Sequence, residues 1–328
     1  MRIAIDIMGG DKAPQEIIAG GLQAAKRFAS DQMIFVGRPE AIEPIGKLPD
    51  NVSFVEAKDV MAMDESVTNI MRKKESSIWI ATKMVKEGQA DAVVSAGSTA
   101  AQMAAATLQL GRIKGINRPA IGTVFPTVKG GRIMLDVGAN ADCEPEMLLQ
   151  FALMGNVYAQ LILGVASPRI ALLSNGTEAH KGNKLTLAAY QMIEQTSLNF
   201  IGNKEGRDLL SGDIDVIVCD GFSGNIALKS IEGAFGALMK MLKAGLTKSV
   251  GRKIGAAMVM PAFKELKQMV DYEEYGGAPL LGVQGVSVVC HGSSSGKAIN
   301  NAVAVAVNCL KNDFVSRLTT AVADEKQQ

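Results

Sequence analysis

Only two histidines occur in the chain, and both lie in polar loops: His180 within NGTEAHKGN (Asn175–Asn183) and His291 within CHGSSSGK (Cys290–Lys297). An imidazole so placed can move a proton or donate to an anion near neutral pH. His291 follows an apolar, strand-like run and precedes Ser293, Ser294 and Ser295, whose hydroxyls suit either a helix cap or anion oxygens. Lys181 in KGN and Asn225 in DGFSGN are the other polar groups of interest. A loop lysine can hold a phosphate as a point charge. A fixed asparagine amide can stabilise an oxyanion, and losing one such donor typically lowers turnover by about 10²–10³. By residue type alone, surface charge for Lys181 and an N-cap role for Asn225 stand equally open.

Other chemistries fit less well. GSSSGK (Gly292–Lys297) is one residue short of a nucleotide phosphate loop, and Ala298 stands where that loop needs a magnesium-binding hydroxyl. No GxGxxG follows a strand-like run, no GxSxG elbow occurs, and no His/Cys/carboxylate cluster has metal-ligand spacing. A site that handles charge without metal or cofactor is therefore expected. Cys143, Cys219, Cys290 and Cys309 are widely spaced with no CxxC pair, which suits reduced thiols in a cytosolic protein.

The elements that must position these residues follow one syntax: an apolar run, a Gly/Asn/Ser/Asp loop, then a helical pattern. Arg2–Met8 leads into Gly9-Gly10-Asp11, Asp91–Ser95 into Gly97-Ser98-Thr99, and Arg132–Val137 into Gly138-Ala139-Asn140. Arg169–Leu173 leads into Ser174–Asn183, Asp215–Cys219 into Asp220–Asn225, and Val286–Cys290 into His291–Gly296. Runs apolar on both faces predict an α/β fold, doubly wound, with a mostly parallel sheet covered by helices on both sides. Ligands of such sheets bind at the carboxyl ends of strands, where backbone N–H groups and helix N-termini gather. All six loops are expected there, lining one anion-binding cavity.

The chain has 328 residues, 34 Lys+Arg and 33 Asp+Glu, so its net charge of +1 excludes a general nucleic-acid footprint. Its opening run Arg2–Met8 is charged and strand-like, so no signal peptide is expected there. Residues 92–111, 147–168 and 275–296 are long uncharged stretches, but polar and turn residues interrupt each, so buried passages are expected rather than spanning helices. Residues 237–270 form an amphipathic helical segment in which Met239, Met241, Leu242, Leu246, Val250, Ile254, Met258 and Met260 alternate with Lys240, Lys243, Lys248, Arg252 and Lys253. Breaks are expected near Gly251 and Pro261. The segment suits internal packing, a membrane surface or an acidic partner. Residues 319–328 are expected to fray.

Several strings together resemble the bacterial PlsX-type phosphate acyltransferases: IDIMGGDKAP (Ile5–Pro14), RIKGINRPA (Arg112–Ala120), LDVGAN (Leu135–Asn140), KGN (Lys181–Asn183), NFIGNKEGRDLL (Asn199–Leu210), DVIVCDGFSGNIALKSIEG (Asp215–Gly233), YGGAPLLGV (Tyr275–Val283) and HGSSSGKA (His291–Ala298). They keep the family's order along essentially the whole chain. SAGSTAA (Ser95–Ala101) departs from the family's usual SAGNTGA. The resemblance implies a single α/β domain over 1–328, with a fold like that of the isocitrate/isopropylmalate dehydrogenase and phosphotransacetylase group. It implies acyl transfer from acyl-acyl-carrier protein to inorganic phosphate, by a cytoplasmic homodimer peripherally bound to the membrane that feeds a downstream membrane acyltransferase. It makes Lys181, Asn225 and His291 the catalytic candidates, and Gly9, Gly10, Asp11, Gly97, Ser98, Thr99, Asn140, Gly292, Ser293 and Ser294 the phosphate-pocket candidates. Arg72-Lys73-Lys74 and Arg252-Lys253 are candidate docking sites for the acidic carrier. The rivals are a nicotinamide-dependent hydroxy-acid dehydrogenase on the same fold and a non-enzymatic scaffold for the carrier protein.

Overall fold

The run RIAID is apolar on both faces and forms a central parallel strand in which Ile3, Ala4 and Ile5 are fully buried. The computed structural model describes residues 1–269 and 272–325. Its strands are, in chain order, Arg2–Asp6 (β1), Gln32–Gly37 (β2), Val52–Glu56 (β3), Ala92–Ser95 (β4), Ala120–Ile121 (β5), Thr123–Thr127 (β6), Gly130–Leu135 (β7), Ile170–Leu173 (β8), Phe200–Lys204 (β9), Val216–Val218 (β10), Ala278–Leu281 (β11) and Val286–Val289 (β12). The α-helices are Gln15–Arg27 (α1), Ser77–Lys86 (α2), Thr99–Gln109 (α3), Pro145–Leu161 (α4), Lys184–Glu194 (α5), Gly221–Leu246 (α6), Val250–Met269 (α7), Gly296–Lys311 (α8) and Phe314–Glu325 (α9).

The expected mostly parallel sheet is present as two: β3-β2-β1-β4-β12-β11-β5 and β6-β7-β10-β8-β9. Only the pairs β5–β11, β11–β12 and β6–β7 are antiparallel among the described ladders. The two sheets meet in one backbone run. β5 pairs with β11 of the first sheet, the chain passes through Gly122, and β6 pairs with β7 of the second. Gly122 has little room, since a Cβ there would lie 2.9 Å from Ile133 Cδ1. The run Ile121–Phe125 is thus divided between two strands, one in each sheet.

Helices cover both sheets. α8 packs on β4 and β12 and against α1, close enough that a Cβ on Gly20 would fall 2.4 Å from Gly296 O. α4 lies on β7 and β10 beneath α5 and α9, and its near-continuous apolar surface (Met147, Leu148, Phe151, Met154, Tyr158) is buried. That burial accounts for the uncharged stretch beginning at Met147. Among the described residues no helix is long and apolar enough to cross a membrane. α9 runs to Glu325 because Phe314, Leu318 and Val322 pack inward, so the helix extends well into the tail expected to fray. Residues 326–328 lie outside the described residues.

α6 is different. It runs for 26 residues, about 39 Å, and its buried residues, Gly221 and Gly224, both lie in its first turn. Beyond the sheet it packs chiefly on α7. The amphipathic segment therefore begins near Gly221 rather than at 237. The break falls at 247–249 rather than at Gly251, and Pro261 lies inside α7. Positions 270 and 271 lie outside the described residues.

Candidate active site

All six loops do emerge at carboxyl ends of strands, but they gather as two sets of three, one on each sheet. The first set is organised by Asp6, only 2 % exposed, which accepts from Ser95 Oγ at 2.7 Å and Met8 N at 3.1 Å. Burial pushes its carboxyl above the ordinary range, against the Ser77 and Ser95 hydroxyls and the Met8 and Gly9 amides that favour the anion. Gly9 lies so close to the β4 loop that a Cβ would fall 2.6 Å from Gly97 N. Asp11 N donates to Gly292 O at 2.8 Å, joining the β1 and β12 loops. Gly9, Gly10, Gly97 and Gly292 therefore serve close packing, while Ser98 and Thr99 open α3.

The phosphate-loop-like string is closed from within the chain. Gly296 N donates to Glu16 Oε2 at 2.7 Å, Ser295 Oγ donates to Glu273 Oε2 at 2.8 Å, and Lys297 pairs with Glu274 at 2.7 Å. Protein carboxylates thus take the donors at the start of α8. Ser294, expected to bind anion oxygens, is buried instead and folds back through its amide onto His291 O. Ser293 and His291 remain at the surface.

In the second set the β8 and β10 loops border a cleft of about 400 Å³ lined by Leu173, Ser174, Asn175, Gly182, Asn183, Thr186, Asp220 and Ser223. Two helix N-termini point into it. Asn183 caps α5, accepting from Thr186 N at 2.9 Å, and Asp220 caps α6, accepting from Ser223 N at 2.7 Å. Their positive dipole ends suit an anion. The buried Ser174 hydroxyl has no hydrogen-bond partner among the described residues. The one cavity expected from all six loops is thus built by the β8 and β10 loops. Gly9–Asp11 and Gly97–Thr99 do not line it, because their glycines are spent on contacts between the first-sheet loops.

Asp136 organises the floor beside this cleft. Its carboxylate accepts from five N–H donors: Ile121, Gly138, Ala139 and Asn140 backbone, and Asn140 Nδ2. Burial still pushes it above the ordinary carboxylate range. Asn140 O accepts from Gly221 N at 2.7 Å, fixing the start of α6. Asn225 then sits against Gly138, whose absent Cβ would lie 3.8 Å from Asn225 Cγ. The N-cap alternative for Asn225 falls, since Asp220 holds that position. Lys181 directly precedes the lining residue Gly182 and lies over Gly176, where a Cβ would meet its Cγ at 2.7 Å. Asn203 Nδ2 tethers this loop, donating to Glu178 O at 2.8 Å and Lys181 O at 3.3 Å. Among the described residues no hydrogen bond joins Lys181 to Asn225. His180 is exposed on the same loop.

The two sets touch where Lys229 of α6 reaches His291, Nζ to Nε2 3.3 Å. Ser174, Thr186, Asn203, Asp220, Ser223 and Lys229 are not singled out by sequence reading. Three of them carried a signal: Asp220-x-x-Ser223 is a capping pattern just after a strand-like run, and Asn183-x-x-Thr186 is one at the end of the Ser174–Asn183 loop. Of the basic docking candidates, Lys73 is engaged with Glu65 at 2.9 Å and Asp59 at 3.4 Å. Arg72, Lys74, Arg252 and Lys253 are exposed. All four cysteines are free thiols. Burial pushes the Cys143 thiol, beside the Asp136 loop, up to about 12, with Asp136 adding to the shift, which disfavours the thiolate form.

The family model described as "Fatty acid synthesis protein" matches residues 1–317. A phosphate acyltransferase of Desulfitobacterium hafniense is 53% identical over 323 residues, spanning 97% of this chain and 96% of the relative. A phosphotransacetylase from Streptococcus pyogenes superposes with a TM-score of 0.58 at 17% identity, covering 98% of this chain and 94% of that one. A 4-hydroxythreonine-4-phosphate dehydrogenase from Klebsiella pneumoniae gives a TM-score of 0.52 at 12% identity, covering 94% and 97%. The two structural likenesses establish the shared fold, which is the one the motifs imply. Identity above half along nearly the full length of both sequences settles the rest: the chain belongs to the phosphate acyltransferase family.

Proposed function

We propose that this enzyme transfers a fatty acyl group from acyl-acyl-carrier protein to inorganic phosphate, with Lys181, Asn225 and His291 at the reacting atoms. The observation that carries the reading is the cleft into which α5 and α6 both point their N-termini, with Lys181 next in sequence to its lining residue Gly182. A phosphate oxygen forms a bond to the thioester carbon, the C–S bond breaks, and the carrier thiolate leaves and takes a proton from water. Phosphate is already anionic near neutral pH, so it needs holding more than deprotonation. A thiol of pKa about 8.5 leaves without strong acid help. Proximity and oxyanion stabilisation are what remain for the protein to supply. Lys181 holds phosphate, the Asn225 amide donates to the thioester oxygen, and His291 supplies a further donor. Formation of acyl phosphate from acyl-carrier protein and labelled phosphate tests this. Lys181→Ala and Asn225→Ala should each lower turnover by about 10²–10³. No product from the wild type would end the reading.

The α6–α7 arm supports the finer placement of the enzyme. Leu238, Met241, Ile254, Met258, Val259 and Met260 are exposed among Lys240, Lys243, Lys248, Arg252 and Lys253. Such a surface suits an anionic bilayer. On this reading the cytoplasmic enzyme sits on the membrane as a homodimer and passes acyl phosphate to a membrane acyltransferase. Reversing the charges of Lys240, Lys243 and Arg252 should release the protein from anionic vesicles in sedimentation. Unchanged binding would refute the membrane placement.

A further inference from the structure

The loop after β12 and the third turn of α6 meet through side chains whose hydrogen-bonding roles can be worked out. Lys229 Nζ lies 3.3 Å from His291 Nε2. His291 Nδ1 lies 2.8 Å from Ser293 Oγ and 3.2 Å from Ser293 N. A backbone amide only donates, so Nδ1 must accept from it. The Ser293 hydroxyl, able to play either part, donates to the same nitrogen. A neutral imidazole that accepts at Nδ1 carries its proton on Nε2. That N–H faces the Lys229 ammonium, which also only donates. Glu232 accepts from Lys229 at 2.9 Å, taking one of the three ammonium protons and leaving two. Two donors therefore face each other across 3.3 Å, an arrangement that an oxygen anion to one side of the pair, within hydrogen-bond distance of both nitrogens, would satisfy.

We propose that Lys229 Nζ and His291 Nε2–H together grip an oxygen of inorganic phosphate. The assignment rests on the reading of phosphate as acyl acceptor, and it gives His291 the role of donor rather than base. Both side chains are reachable by a solute, Lys229 being 47% exposed. Lys229 stands four residues after Asn225, so the two share one face of α6 with Cβ atoms about 5–6 Å apart. One helical stripe then carries the donor to the thioester oxygen and, a turn later, the grip on the nucleophile. The β12 loop supplies the second half of that grip from the other sheet.

The alternative source of a negative oxygen is the thioester itself as it becomes an oxyanion, and kinetics separate the two. With phosphate and acyl-carrier protein varied in turn, Lys229→Met should raise the KM for phosphate about 10- to 100-fold, the loss expected for one charge-assisted donor. The KM for acyl-carrier protein and kcat should stay within about threefold, and Lys229→Arg should restore most of the phosphate affinity. A phosphate KM within twofold of the wild type overturns the proposal. So does a fall in kcat alone, which would assign the pair to the oxyanion. A second measurement does not need turnover. In ¹⁵N imidazole spectra, with His291 assigned by comparison with His180→Gln, Nε2 should be protonated and Nδ1 bare. Inorganic phosphate should shift Nε2 in the wild type and not in Lys229→Met. A protonated Nδ1, or no response to phosphate, overturns the grip. A wild type that shows the shift but forms no acyl phosphate would sink the acyltransferase reading and leave the grip standing.

Discussion

Gly224→Ala tests whether the start of α6 is what places Asn225. In an ordinary helix this change stabilises by about 0.5–1 kcal/mol. Here a Cβ would fall 1.9 Å from Asp136 O and 2.8 Å from Cys219 Sγ. The first of these neighbours is backbone and cannot rotate away. Opening that contact from 1.9 Å to the 3.0 Å below which real Cβ contacts essentially never occur moves α6 off the β7 loop by about 1.1 Å. Overpacking of this kind costs about 1–3 kcal/mol, which outweighs the helix gain. A misplacement of about 1 Å at reacting groups can lower activity about 10²-fold. Gly236 lies on the same helix with nothing within 4 Å of its absent Cβ, so Gly236→Ala serves as control. Urea unfolding should show Gly224→Ala destabilised and Gly236→Ala slightly stabilised. Acyl-phosphate formation should fall about 10²-fold in the first and hold in the second. A Gly224→Ala enzyme as stable and as active as the wild type would show that contact between α6 and the β7 loop does not position Asn225.

Asn203→Leu removes both donors that tether the Lys181 loop. It should lower kcat/KM at least 10-fold and speed proteolytic cleavage within residues 174–183, read by limited digestion. Carboxyl ¹³C titration should find Asp6 and Asp136 above the ordinary aspartate value of about 3.9, because burial dominates at both. Asp215 should titrate below it, since burial pushes it up but the Arg169 guanidinium at 2.8 Å and Arg132 at 2.9 Å prevail. The stability contributions then have opposite signs. Those of Asp6 and Asp136 are full below the unfolded value and lost as pH rises through their folded values. That of Asp215 is present above the unfolded value and lost as pH falls through its folded one. Iodoacetamide at pH 8 should alkylate Cys143 about 10³-fold more slowly than an ordinary thiol of pKa about 8.5, leaving activity intact.

What sequence reading captured and missed follows from the range of the forces involved. The strands of β1, β4, β7, β8, β10 and β12 were legible because runs such as RIAID and VSVV are apolar on both faces, and the glycine-bearing loops after them had to lie at carboxyl ends. β11 was missed: Ala278–Leu281 is short and contains Pro279, and its place between β12 and β5 is set by long-range pairing that overrides local preference. The division into two sheets was also hidden, since nothing local at Gly122 distinguishes a bend within a strand from a passage between sheets. The same limit governs the site. Lys181, Asn225 and His291 could be chosen by type from the polar strings KGN, DGFSGN and HGSSSGK, although Asn225 lies in the second turn of α6 rather than in the loop expected there. Whether HGSSSGK presents its donors to a ligand depended on Glu16 and Glu273, which approach the start of α8 from distant parts of the chain. Those carboxylates turn a string that looks like an anion loop into a capped helix. Lys229 is the converse case. On α6 it reads as one more surface charge paired with Glu232, and only the fold brings it, across 62 positions of sequence, to the imidazole whose proton it faces.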